Sequence, residues 1–274
     1  MLAYLTEPCR MVVAPSEYRL SIVVPVYNER EHLPTMLARL LRVIPAKESE
    51  IIVVDDGSTD GTRDWLSQLA QSVSESGLVV VSDDGRIVGA TNDAPPASNT
   101  RLRIQFQPTN AGKGAAVRTG LGLAQYEVLV VQDADLEYDP ADLKEMFGLM
   151  TADLADVVYG TRFSSRPHRS LYLHHRLANW LISAMVDVLC NATLSDVEVC
   201  YKMFRREVLD GMRLTCNDFG FEVEFTIKML MAKHWRLYEA GISYYGRTYA
   251  EGKKINWRDG ILALWYVFRF RFGR

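Results

Sequence analysis

Three β-branched runs constrain this chain most, because each breaks off in carboxylates. They are "SIVVPVYNE" (21–29), "EIIVVDDGS" (50–58) and "EVLVVQDAD" (127–135). A continuous Val/Ile run reads as a strand buried on both faces, as in a parallel sheet with helices on both sides. Helical patterns separate the runs. Asn28 is the expected cap of "EREHLPTMLARLLRVI", Asp60 of "GTRDWLSQLA", and Asp139-Pro140 opens "PADLKEMFGLM". "RLRIQF" (101–106) and "ADVVYG" (155–160) add two more strands. Residues 78–100 interrupt the alternation with a hairpin turning at Asp84-Gly85 and a polar loop. Beyond residue 160 the pattern gives a helix near 171–190, a strand at "CYKMF" and a helix at "EVEFTIKMLMAK". A strand at "RLYEAGISYY" and a closing helix at "NWRDGILALWYVFRF" complete it. The expected class is α/β with a mainly parallel sheet flanked by helices.

Charge is unevenly spread. Residues 1–159 carry 13 Lys and Arg against 23 Asp and Glu, whereas residues 160–274 carry 18 against 11. An acidic half suits a cation, and a basic half suits phosphates or an anionic membrane surface; neither suggests a nucleic-acid partner. Cys9, Cys190, Cys200 and Cys216 show no CxxC spacing and read as reduced thiols. With no leader sequence and no run of about 18 apolar residues, the expectation is a cytoplasmic protein.

In open parallel sheets, ligands bind where strands end. Pro25, Tyr27 and Glu29 follow the first strand, and Asp55 and Asp56 the second. Tyr27 offers a flat face to a nucleobase, and an aspartate accepts from a base N–H or a ribose hydroxyl. "VVQDADLEYDP" then sets Asp133, Asp135, Glu137 and Asp139 within seven residues, a repulsive arrangement that calls for a cation. Hard oxygen ligands suit Mg²⁺ or Mn²⁺, with Asp133, Asp135 and Glu137 as the metal candidates and Asp139 as a helix cap. An EF-hand is excluded, because Tyr138 and Lys144 occupy the positions that need glycine and glutamate. Mg²⁺ completes its shell with water and substrate phosphates, which points to a diphosphate. "NAGKGAAVRTG" (110–120) brings small residues and Lys113 near those phosphates, without a P-loop or GxGxxG spacing.

Taken together, "SIVVPVYNE", "IIVVDDGSTDGT", "NAGKGAAVRTG", "VVQDADLEYDP", "VVYGTRF", "LSDVEVCYKMFRREVL", "FGFEVEF" and "YYGRTYAEGKKI" resemble family 2 glycosyltransferases of the GT-A fold. They resemble most the polyprenyl-phosphate (dolichyl-phosphate type) sugar transferases, from about Leu20 to Phe270. The resemblance implies a Rossmann-like GT-A domain over 20–250, an N-terminal extension over 1–19 and an amphipathic helix over 251–274. Residues 78–100 are expected to be an insertion. It implies that Pro25, Tyr27, Glu29, Asp55, Asp56, Lys113, Asp133 and Ala134 hold a nucleotide diphosphate sugar, UDP- or GDP-linked. Asp133, Asp135 and Glu137 would hold Mg²⁺ or Mn²⁺, and Arg162, Arg247, Lys253 and Lys254 would face phosphates.

The implied chemistry is inverting transfer, most readily to a polyprenyl phosphate. A phosphate with a second pKa near about 6 is largely a ready anion at neutral pH. A hydroxyl acceptor would instead need a base, for which Asp196, Glu222 and Glu224 are candidates. On "EVEFTIKML" a helix-stabilising role for the two glutamates is the competing reading. The alternatives are a soluble or saccharide hydroxyl acceptor, or a protein that binds nucleotide sugars without turnover. A nucleotidyltransferase would carry a basic glycine-rich loop where this chain has "PVYNERE". The tail "ILALWYVFRFRFGR" mixes aromatics with arginines, as does a segment lying on the cytoplasmic face of a membrane; an oligomer contact is the alternative.

Overall fold

The computed structural model describes residues 14–76, 79–81, 87–89, 99–163, 168–169, 172–248 and 257–273. The strands are β1 (Leu20–Val26), β2 (Glu48–Asp55), β3 (Val79–Val81), β4 (Ile87–Gly89), β5 (Asn99–Phe106), β6 (Val128–Val131), β7 (Val157–Thr161), β8 (Lys202–Arg205) and β9 (Leu237–Gly241). The helices are α1 (Leu33–Val43), α2 (Thr62–Ser76), α3 (Lys113–Leu123), α4 (Leu143–Thr151), α5 (Leu173–Cys190), α6 (Phe221–Ala232) and α7 (Trp257–Phe272). Seven strands form one sheet in the order β5-β2-β1-β6-β8-β7-β9, and β3 and β4 pair separately. All pairings in the large sheet are parallel except those of β8, which runs against β6 and β7. The mainly parallel sheet expected from the Val/Ile runs is the observed one.

β1, β2 and β6 are central, and β1 and β6 are buried along their whole length. Burial on both faces explains why these strands read as unbroken apolar runs instead of alternating. Their register, Val26 beside Asp55 and Val23 beside Val131, brings the ends of β1, β2 and β6 to one edge of the sheet. β3 and β4 form the expected antiparallel hairpin. Its Asp84-Gly85 turn lies outside the described residues.

Helix starts explain how the loops are shaped. Asp60 caps α2, accepting from the Thr62 N–H at 3.0 Å, and Asp139 accepts from the Ala141 N–H at 3.0 Å ahead of a 3₁₀ turn. Asn28 does not cap α1, which begins five residues later at Leu33. It adopts a left-handed backbone (φ 53°), and its side-chain oxygen accepts from the Thr59 N–H at 2.8 Å. Its own N–H donates to Ser58 Oγ at 2.9 Å, so the loops after β1 and β2 are tied together. Glycines in "NAGKGAAV" serve close approach. Gly112 has a positive φ of 99°, and a Cβ there or at Gly114 would strike backbone carbonyls of residues 216–218.

Candidate active site

A cavity of about 1150 Å³ opens at the strand ends. Pro25, Tyr27 and Glu29 after β1, Asp56 after β2 and Lys113 at the start of α3 line one side. Ala134, Asp135 and Glu137 after β6, and Arg162 after β7, line the middle. α5, α6 and α7 complete it. This is the edge at which an open parallel sheet binds ligands.

Tyr27, 36% exposed, presents its ring at the mouth. Asp56 lines the cavity and accepts from the Ala111 and Gly112 N–H groups at 2.9 and 2.8 Å, fixing the loop ahead of α3. Burial pushes its carboxyl above the usual range, against those two hydrogen bonds. Asp55 is not on the cavity wall. It is fully buried and accepts from Arg63 Nε at 2.8 Å, which braces the turn behind Asp56.

The acidic turn after β6 divides between two cations. Lys113 Nζ lies 2.8 Å from Asp133; burial raises the Asp133 carboxyl, but that ammonium outweighs it and holds it below the usual value. Arg247 takes the rest. It reaches Asp135 at 2.8 Å, Glu137 at 3.2 Å and Glu29 at 3.4 Å, while the Tyr244 hydroxyl donates to Glu137 at 2.9 Å. Even so, burial, Asp133 and Glu137 push the Asp135 carboxyl up to about 7. The three expected metal ligands do not converge. Among the described residues, no three His, Cys, Asp or Glu side chains are grouped to hold an ion. Asp135 and Glu137 nevertheless share one cation, Arg247, and two hard carboxylates suit an ion whose remaining ligands are water and phosphate.

Farther in, Arg162 makes a two-pronged ion pair with the fully buried Asp196, with contacts of 2.6 Å to each oxygen. Its Nη2 also approaches Asn179 Oδ1 on α5 at 3.5 Å. Glu222, opening α6, is held by Lys202 at 2.6 Å and approached by Lys113 at 3.4 Å. Glu224 accepts from the Thr215 and Cys216 N–H groups and pairs with Lys228, away from the cavity. α5 and α7 add apolar side chains to the lining, Leu181 and Ile182 from one and Ile261 and Leu262 from the other, together with the polar His175, Arg176 and Asp259.

The glycosyl transferase family 2 model matches residues 21–213. The chain belongs to glycosyl transferase family 2. This family 2 enzyme is a glycosyltransferase, and its sheet is that of the GT-A fold. It is 27% identical over 272 residues to the undecaprenyl-phosphate mannosyltransferase of Micrococcus luteus, covering 93% of this chain and 99% of that one. It is 29% identical over 243 residues to the polyprenol monophosphomannose synthase of Mycolicibacterium smegmatis, covering 84% and 76%. Among solved structures it resembles M. tuberculosis glucosyl-3-phosphoglycerate synthase, with a TM-score of 0.65 at 17% identity over 95% of this chain and 82% of that one. That synthase has also been solved with Mn²⁺, UDP and phosphoglyceric acid.

Of the residues singled out in the sequence, Pro25, Tyr27, Glu29, Asp56, Lys113, Asp133, Ala134, Asp135, Glu137, Arg162, Glu222 and Arg247 line this transferase's cavity. Asp55, Asp196 and Glu224 stand behind it as supports, and Lys253 and Lys254 lie outside the described residues. Asn179 and Glu198 also line it and escaped the sequence reading. A signal for Glu198 was present: a lone glutamate among apolar residues in "SDVEVCYK", between Asp196 and Lys202.

Proposed function

We propose that this glycosyltransferase moves a sugar, with inversion, from a nucleotide diphosphate sugar to a polyprenyl phosphate at a membrane surface, with Mg²⁺ or Mn²⁺. The observation that carries the reading is the continuity of the cavity, from carboxylates at the strand ends to apolar side chains between α5 and α7. One end suits a metal-bound diphosphate, and the other suits the first isoprene units of a lipid. Two of the relatives named above are an undecaprenyl-phosphate mannosyltransferase and a polyprenol monophosphomannose synthase, which supports a lipid acceptor here.

A divalent ion held by Asp135 and Glu137 would supply Lewis-acid stabilisation of the leaving diphosphate. The chain's own residues orient the rest. Tyr27 and Asp56 receive the nucleoside, and Lys113 stands ready for the diphosphate. Arg247, released from Asp135 and Glu137, is free to meet a phosphate. An acceptor phosphate oxygen bonds to the anomeric carbon as the bond from that carbon to the diphosphate breaks, and the electron pair leaves with the nucleoside diphosphate. No proton has to be removed from a dianionic acceptor. The carboxylates considered as bases support this choice. Asp196 is bound by Arg162, Glu222 by Lys202, and Glu224 by Lys228 and main-chain N–H groups.

Lipid docking has its own support. Trp180 and Val188 of α5 and Trp265, Phe268 and Phe272 of α7 are exposed, with Arg269 and Arg271 among them. Among the described residues no helix is long and apolar enough to cross a membrane, so a surface-lying arrangement fits these helices.

Calorimetric titration with UDP and with GDP, each with and without Mg²⁺ or Mn²⁺, tests the donor reading, with Asp135→Asn as control. Metal-dependent binding of one nucleotide, lost in the variant, is expected. Transfer from that nucleotide's sugar to undecaprenyl phosphate then tests the acceptor. A folded protein that binds neither nucleotide would overturn the reading.

A further inference from the structure

Two polar side chains on the cavity wall keep polar atoms without a hydrogen bond among the described residues. Asn179 is 95% buried at 5% exposure, and its Nδ2 makes no hydrogen bond among the described residues. Glu198, half-buried, lines the same cavity with no hydrogen bond or ion pair to its carboxylate among the described residues. Arg162 is their common neighbour, with its Nη2 at 3.5 Å from Asn179 Oδ1 and its charge acting on Glu198. A buried donor without an acceptor costs stability, and natural folds keep such groups mainly where a ligand completes them.

The charge of this wall selects among ligands. Arg162 is spent on Asp196, and Lys202 on Glu222. The remaining carboxyl, Glu198, is held by neither cation, and in its charged form it would oppose an anion placed against it. Burial raises that carboxyl to about 7; Arg162 and Lys202 lower it and Asp196 and Glu222 raise it. An amide N–H that lacks an acceptor, on the same cavity wall as a carboxyl that lacks a donor, matches a neutral group that both gives and takes hydrogen bonds. Hydroxyls of a sugar ring do this, and phosphate oxygens do not.

We propose that Asn179 and Glu198 read the hydroxyls of the transferred sugar and set which sugar this enzyme accepts, with Arg162 holding Asn179 in place. The inference rests on the donor assignment above and deepens it. It also separates two duties at the site: phosphates fall to Lys113 and Arg247, and ring hydroxyls to the wall around Arg162.

The test compares wild type with Glu198→Gln, Glu198→Ala and Asn179→Ala, each first checked for folding by thermal unfolding. Affinities for GDP, UDP, GDP-mannose, GDP-glucose and UDP-glucose, with metal, separate the sugar's contribution from the nucleotide's. Transfer rates with the same donors give kcat/KM selectivity. The expected result is at least a tenfold loss of selectivity between sugars in Glu198→Ala and Asn179→Ala, with affinity for the free nucleoside diphosphate within twofold. Glu198→Gln, which keeps the shape, should shift the preferred sugar more than it slows turnover. Variants that keep the wild-type preference would overturn the proposal. So would a raised KM for undecaprenyl phosphate with donor selectivity intact, which would move the wall to the acceptor side. A collapse of kcat in Glu198→Gln with selectivity intact would instead make Glu198 a base for a hydroxyl acceptor. A wild type that binds nucleoside diphosphates but gains nothing from any sugar defeats this inference alone, whereas one that binds no nucleotide defeats the donor assignment with it.

Discussion

Lys202, on the antiparallel strand β8, is fully buried behind the cavity wall and donates to Glu222 at 2.6 Å. Its remaining N–H bonds go to the carbonyls of Val197 and Val199, so the ammonium is fully employed. Such a pair is expensive to break from one side, because the survivor is left charged in a dry place. Lys202→Met should lose about 3–5 kcal/mol of stability by urea unfolding. Lys202→Met with Glu222→Leu should recover a large part of it, and a double variant no better than the single would refute the pairing.

Arg247 occupies the carboxylates that a divalent ion needs, with contacts to Asp135, Glu137 and Glu29. Removing it should therefore help the bare ion while hurting the nucleotide. In Arg247→Met, Mn²⁺ alone should bind about tenfold more tightly, the equivalent of about 1.4 kcal/mol, by paramagnetic resonance titration. Affinity for the metal–nucleotide pair should not improve in parallel. Unchanged Mn²⁺ affinity would mean that the guanidinium leaves at no cost.

Glu198 gives stability a pH dependence with a defined sign. Its folded-state value of about 7 lies above the ordinary 4.5, chiefly through burial. The native state therefore favours the protonated form. Stability from this group is full below about pH 4.5 and is lost as pH rises through about 7. Glu198→Gln should then match wild type at pH 4 and exceed it by ~1–3 kcal/mol at pH 8. Thermal unfolding at the two pH values decides; a constant difference would remove Glu198 from the account.

The exposed apolar face of α5 and α7 makes a separable prediction. Trp180 and Trp265 are 64% and 52% exposed, so replacing both with serine should leave the unfolding temperature within a degree or two of wild type. Flotation with anionic liposomes should fall several-fold. Equal flotation would turn attention to self-association, measurable by sedimentation.

Much of this molecule is readable from its chain because strands buried on both faces leave an unmistakable mark. β1, β2 and β6 announce themselves by valine and isoleucine, and Asp60 and Asp139 by the helices they open. Asn28 misleads because its side chain can serve either a helix or a neighbouring loop, and only the tertiary approach of Thr59 decides. The division of the acidic turn is hidden for the same reason. Nothing near Asp133 or Asp135 in sequence says that one meets Lys113 and the other Arg247. The sequence marks Asp196 and Asp55 as polar, but their commitment to Arg162 and Arg63 depends on packing. Asn179 sits within an amphipathic helix, where one amide carries no periodic signal.

The contact between Asp135 and Arg247 spans 112 residues of chain. During synthesis, the acidic turn emerges long before the arginine that neutralises it. β9, which completes the sheet just ahead of Arg247, arrives almost as late. A part of the fold that closes late, with only α7 still to follow, is therefore also the part that sets the charge of the site. A nascent chain paused before residue 247 would carry its sheet core but leave the carboxylates of β6 facing one another without that partner.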